Sequence, residues 1–125
     1  MKKIKVCALL RKEVERSEKF KDSPKVSYTV VGGYLFLRFI CPAIVSPFTN
    51  GVYQTQPSTE MTSALISISK VIQNLANEIT VCKEEYMKPM MSFVTKNLQT
   101  FEEFVDKITV RKYFFLFFLF FIFFF

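Results

Sequence analysis

Histidine and tryptophan are both missing from the 125 residues, and the missing histidine excludes more chemistry. Without it the chain lacks the usual general base for a Ser or Cys nucleophile and the commonest transition-metal ligand. No G-x-x-x-x-G-K-[ST] loop is present to cradle a nucleotide phosphate. Three cysteines, Cys7, Cys41 and Cys82, are odd in number, far apart and free of any C-x-x-C spacing. They suggest neither a disulfide framework nor a zinc site and fit a reducing, cytoplasmic compartment. Hydrolytic chemistry carried by this chain itself is not expected, and neither is a metal. Glycine is scarce too, at three residues, two of them adjacent as Gly32 and Gly33.

Charge is plentiful but uneven. The formal net charge is +6, and residues 1 to 25 hold nine Lys or Arg against four acids, whereas the rest of the chain holds eight against seven. The basic excess reads as a solvated helix face. It lacks the interleaved aromatics of a nucleic-acid surface, so no nucleic-acid partner is expected. The opening "MKKIKVCALLRK" starts like a secretion signal, but Arg11 and Lys12 interrupt its apolar stretch far too early.

Phenylalanine is concentrated at the other end: nine of 16 lie in "YFFLFFLFFIFFF", residues 113 to 125. As a helix this run reaches about 20 Å, against a hydrocarbon core of about 30 Å. Flanked by Arg111 and Lys112, it could serve as a marginal membrane anchor at the inner face. Since Phe, Leu, Ile and Tyr all have thymine-rich codons, translation of a T-rich non-coding tract explains the composition better.

Between these ends the pattern is helical. Val6, Leu10 and Val14 form one stripe of a first amphipathic helix, broken by Asp22, Ser23 and Pro24. Residues 26 to 41 form a long apolar run, in which Ser27, Val31, Tyr34 and Arg38 share a stripe at helical spacing. We read it as a central buried helix, ended by Pro42, with its glycine pair admitting a neighbouring backbone or merely tolerated. A turn-rich connection follows, through Pro47 and Asn50-Gly51.

The clearest periodicity, Met61, Leu65, Ile68, Ile72, Leu75 and Ile79, predicts a helix with Lys70, Gln73, Asn74 and Asn77 on its opposite face. A last helix from Met90 to Ile108 turns Met90, Val94, Leu98, Phe101, Val105 and Ile108 inward, with Pro89 in its first turn. The fold class is therefore all-α, with about four helices.

Three blocks, "FLRFICPAIVSP", "SKVIQNLAN" and "KEEYMKP", resemble in order and spacing the later half of the catalytic domain of Ras GTPase-activating proteins, the class that includes neurofibromin. The resemblance covers residues 8 to 108, within a partial domain of residues 1 to 112. It implies a Ras-like small GTPase as partner, with GTP and magnesium held by that partner and no cofactor here.

Carried over by position, Leu37 and Arg38 border the partner groove, while Pro42 and Ala43 shape a turn beneath it. Lys70, Gln73 and Asn77 line the groove, and Lys83 with Glu84 extends it. Arg38 is implied to steady a loop bearing the "arginine finger" rather than to be that finger. From the residues alone, Arg38 could instead cap carbonyls near Pro42, and the polar arc could be a solvated helix face. The finger block itself, of Phe-Arg-Gly-Asn type, does not occur, so the chain reads as a fragment inactive on its own. A non-catalytic helical interaction module, tethered to a membrane by its tail, is the alternative.

Overall fold

A computed structural model of the chain describes residues 2–110. The Phe-rich stretch, and with it the question of an anchor, lies outside them. The described residues form α1 (Lys2–Arg16), α2 (Val26–Gly32), a π-helical stretch (Gly33–Ile40), α3 (Cys41–Val45), α4 (Thr59–Ala76) and α5 (Lys88–Thr109). Because α2, the π stretch and α3 run on as one helix, Val26–Val45, four long helices result and the all-α expectation holds.

The central helix is long and apolar enough to cross a membrane by composition, yet it packs against α1, α4 and α5 within the fold.

Pro42 does not end this helix, and with Ala43 it lies inside α3 rather than in a turn. Proline is tolerated there because the preceding turns have widened. The Cys41 N–H reaches back five residues to the Phe36 carbonyl, which relieves the crowding that a proline ring causes in a tight α-helical turn. The wider turns also rotate the expected stripe. Ser27 and Val31 are buried as anticipated, Tyr34 is half-buried, and Arg38 has swung out to solvent while Cys41 takes the inner position.

Two clusters make the core. One joins Cys7, Val31, Ala76, Phe101 and Val105; the other joins Met87, Met91 and Val94. Burial pushes the Cys7 thiol above its ordinary pKa, a backbone hydrogen bond opposing this. In α5 the inward residue is Met91, not Met90, which is exposed; Pro89 occupies the first turn as expected.

The α4 stripe is likewise corrected. Met61 and Ile68 are 53% and 50% exposed, and the buried positions are the small residues Ser69 and Ala76. Hydrophobic periodicity registers apolarity but not size, and here small side chains admit the central helix. A Cβ built on Gly32 would stand 2.6 Å from the Ala76 carbonyl oxygen and 2.8 Å from the Phe101 ring, whereas one on Gly33 would meet only Leu37, at 4.0 Å. One glycine of the pair thus serves the close approach.

An ion-pair network ties α1 to α5. Arg11 bonds Glu15 through Nε (2.7 Å), and Asp106 (2.5 Å) and Thr109 (2.8 Å) through Nη1. The Tyr28 hydroxyl donates to the same Asp106 carboxylate at 3.1 Å.

At its start α4 is capped by Ser58, whose hydroxyl accepts from the Met61 N–H. It ends at Ala76, short of Ile79, in a left-handed corner. Glu78 N–H bonds the Leu75 carbonyl, Ile79 N–H bonds the Asn74 carbonyl, and Glu78 itself takes φ +54°. Glycine normally fills this position. Glu78 also has Oε1 buried with no hydrogen-bond partner, and desolvation, only partly offset by Lys25, pushes its carboxyl upward. Folding therefore favours proton uptake at Glu78. That contribution to stability is present at acid pH, below the ordinary carboxylate range, and is lost as the pH rises through the elevated value. We expect Glu78→Gly to stabilise the fold by about 1 kcal/mol at neutral pH. Thermal unfolding at pH 4 and pH 7 checks this: the gain should be larger at pH 7.

Candidate functional site

The widened turns and the proline place Leu37, Cys41, Pro42 and Val45 along one wall of an open groove of about 440 Å³. Ser46, Thr49 and Asn50 from the following connection, and Ser69 and Gln73 from α4, complete it. The floor is fixed by a thiol–carbonyl contact, Cys41 Sγ donating to the Ser69 oxygen at 3.8 Å. Gln73 Nε2 donates to Ser69 Oγ at 3.3 Å, which holds the amide along the wall. Asn50 closes one end: its Nδ2 donates to the carbonyls of Pro42 (3.1 Å) and Ser46 (2.9 Å). These are carbonyls near Pro42 of the kind that Arg38 could have capped, and Asn50 takes them instead.

A second cluster forms between α4 and the 3₁₀ turn Glu85–Met87. Lys70 Nζ donates to Glu84 Oε1 at 3.2 Å and to the Tyr86 hydroxyl at 2.5 Å, and that hydroxyl donates to Glu84 Oε2 at 3.1 Å. The ammonium also lies 5.3 Å from the centre of the Tyr86 ring. Hydrogen bonding to Tyr86, then to Glu84, raises the Lys70 pKa and keeps the ammonium charged.

Of the residues singled out by sequence, the structure brings Leu37, Pro42 and Gln73 together in the groove and Lys70 together with Glu84 in the cluster. Arg38 is exposed on the π-helical stretch, beside Leu37. Asn77 caps the C-terminus of α4 and is exposed, Lys83 is exposed, and Ala43 is half-buried in α3. Sequence reasoning missed Ser69, Asn50 and Tyr86. The last was legible as the tyrosine of "KEEYMKP", two residues beyond Glu84; the other two carry no signal in spacing.

The chain is thus an all-α helical domain with an open groove whose apolar wall is rimmed by amides and hydroxyls, and with Lys70 tethered in a separate cluster. Comparison with known proteins makes this specific. A family model described as "GTPase-activator protein for Ras-like GTPase" matches residues 4–77, and the chain belongs to that family. It is 39% identical over 84 residues to a probable Ras GTPase-activating-like protein, ngap, of Dictyostelium discoideum, covering 66% of this chain and 10% of that protein. Similarity to human Ras GTPase-activating protein 1 is 34% over 100 residues, covering 79% of this chain and 9% of that one. Human Disabled homolog 2-interacting protein is 38% identical over 90 residues, 71% of this chain and 8% of its own. The chain thus spans about a tenth of the length of the curated relatives it matches.

Proposed function

We propose that this chain supplies the binding groove of an activator of GTP hydrolysis, acting on a Ras-like small GTPase. The observation that carries the reading is the family match over the helices that build the groove, together with Leu37, Pro42 and Gln73 lining one cleft. The order of the three sequence blocks supports the later half of the catalytic domain, of the neurofibromin-like class. GTP and magnesium belong to the partner, so the chain requires no cofactor. Three free cysteines, two of them buried, support a cytoplasmic setting.

On this reading each residue has a part. Lys70, oriented by Tyr86 and Glu84, offers a fixed cation to an acidic switch segment of the GTPase. Gln73 and Asn77 offer amides on the same side of α4, and Lys83 with Glu84 prolongs the contact. Arg38 is exposed, with a planar fork of five donors suited to backbone carbonyls. On this reading it steadies a finger-bearing loop that packs over the groove.

The test is binding to the GTP-loaded partner. Lys70→Glu is expected to weaken affinity about tenfold or more, with the salt dependence of a charge contact, and to leave the melting temperature nearly unchanged. Tyr86→Phe removes the hydroxyl that aims Lys70 but not the charge, and should cost several-fold less than the reversal. Equal losses of binding and of melting temperature in Lys70→Glu would assign the lysine to folding instead.

A further inference from the structure

We infer that Ser23 is a phosphorylation site for a proline-directed protein kinase, and that a phosphate there loosens the corner closing α4 by drawing Lys25 away from Glu78 and Glu102. The chain contains two Ser-Pro steps, Ser23-Pro24 and Ser46-Pro47, and the structure distinguishes them. Both serines are exposed, and they differ in how firmly the backbone around them is bonded. A kinase threads its substrate as extended chain, so the backbone around the acceptor must open. At Ser23-Pro24 this opening breaks two turn bonds, Ser23 N–H to Phe20 and Val26 N–H to Ser23, and the bond from the Ser27 hydroxyl to the Pro24 carbonyl. At Ser46-Pro47 the two carbonyls accept from Asn50 N–H, Val52 N–H and Tyr53 N–H, and Asn50 Nδ2 adds a further bond. The first step is the more loosely held one, and the one that opens more readily.

The transfer needs only ATP as co-reactant. The Ser23 hydroxyl gives its proton to the kinase's general base, and its oxygen bonds the γ-phosphorus. The bond from that phosphorus to the β,γ-bridging oxygen breaks, its electron pair leaving on ADP. The product carries about −1.5 to −2 charge at pH 7.

Lys25, two residues on, is the cation this charge would recruit. It now bridges two elements, with Nζ 2.8 Å from Glu102 Oε1 on α5 and 3.8 Å from Glu78 Oε2 beyond α4. Lys21 is engaged with Glu18 at 2.6 Å. Glu78 is poorly placed to lose its cation: its Oε1 is already buried without a partner, and its backbone already takes the left-handed conformation. Withdrawing Lys25 leaves that carboxylate facing Glu102 unneutralised, and the strain falls on the hydrogen bonds of the corner.

The full chain should be incubated with ATP and a proline-directed kinase, the phosphate located by fragment mass spectrometry, and amide exchange followed at Glu78 and Ile79. We expect incorporation at Ser23 that Ser23→Ala abolishes and Ser46→Ala preserves, with exchange at those two amides about fivefold faster. Unmodified Lys25→Gln should show the same acceleration, and its phosphorylation should add none. Incorporation only at Ser46, or none, overturns the site. Unchanged exchange after incorporation at Ser23, or further acceleration in phosphorylated Lys25→Gln, overturns the route through Lys25.

Discussion

In single-turnover assays, a Ras-like GTPase mixed with these 125 residues alone is expected to hydrolyse GTP at its intrinsic rate, even where the two bind. Stimulation in this reaction comes mainly from an arginine set into the transition-state charge, an effect of about 10³ to 10⁵ in rate for small GTPases of this kind. The chain has four arginines, Arg11, Arg16, Arg38 and Arg111. Arg11 is spent on Glu15, Asp106 and Thr109, and Arg16 lies 3.7 Å from Glu13 on an exposed helix face. Arg111 lies outside the described residues. Arg38 is exposed beside the groove, on a helix rather than on a loop able to reach into a partner's nucleotide site. Supplying a segment with the Phe-Arg-Gly-Asn type block should restore acceleration, and Arg38→Ala in that context should weaken it by loosening the finger loop. Should the 125 residues stimulate hydrolysis unaided and Arg38→Ala abolish the effect, Arg38 is itself the finger.

Gly32→Ala is expected to cost about 2 to 3 kcal/mol of stability, while Gly33→Ala, one position on, is neutral or slightly stabilising. The contrast follows from what each new methyl meets. At Gly32 it would press on a backbone carbonyl, that of Ala76, as well as on the Phe101 ring. A ring can tilt, but a carbonyl moves only with its helix, so the central helix and α4 must separate, and overpacking of this kind costs roughly 1 to 3 kcal/mol. At Gly33 the nearest atom is a Leu37 methyl at ordinary contact distance, and alanine restricts the unfolded chain more than glycine does. Chemical denaturation of the two variants decides the matter. Similar losses in both would mean that the glycine pair serves helix flexibility rather than close packing.

How far the sequence could be read depended on which property each element uses. The helix of α5 was plain because large apolar residues recur at the right period, and the error of one position, Met90 for Met91, is a rotation that periodicity cannot resolve. In α4 the signal misled: its apolar stripe is partly solvent-facing, and its contacts with the central helix use Ser69 and Ala76, which no hydropathy pattern emphasises. Its end was hidden as well, since the corner at Glu78 lacks the glycine that usually announces it. Pro42 looked like a stop because proline breaks an α-helix; the π turns that accommodate it arise from packing and have no signature in composition. Within the site, Lys70 and Gln73 were visible as polar residues on one face. Tyr86 was within reach too, two residues beyond Glu84, but Ser69 and Asn50 were not, because each acts on residues it meets only once the chain has folded.

The two buried cysteines turn the molecule into its own gauge of breathing. Cys7 sits in the main core with its thiol pushed up by burial, and Cys41 lies under the groove against the Ser69 carbonyl. Only an exposed thiolate reacts readily with an alkylating reagent. Modification of Cys41 therefore reports each separation of the central helix from α4, and modification of Cys7 reports opening of the core around α1. Half-exposed Cys82 reacts without either event and serves as the internal clock. A partner seated in the groove would slow the Cys41 reaction and leave the Cys82 reaction as reference, so occupancy can be followed without any label added to the protein.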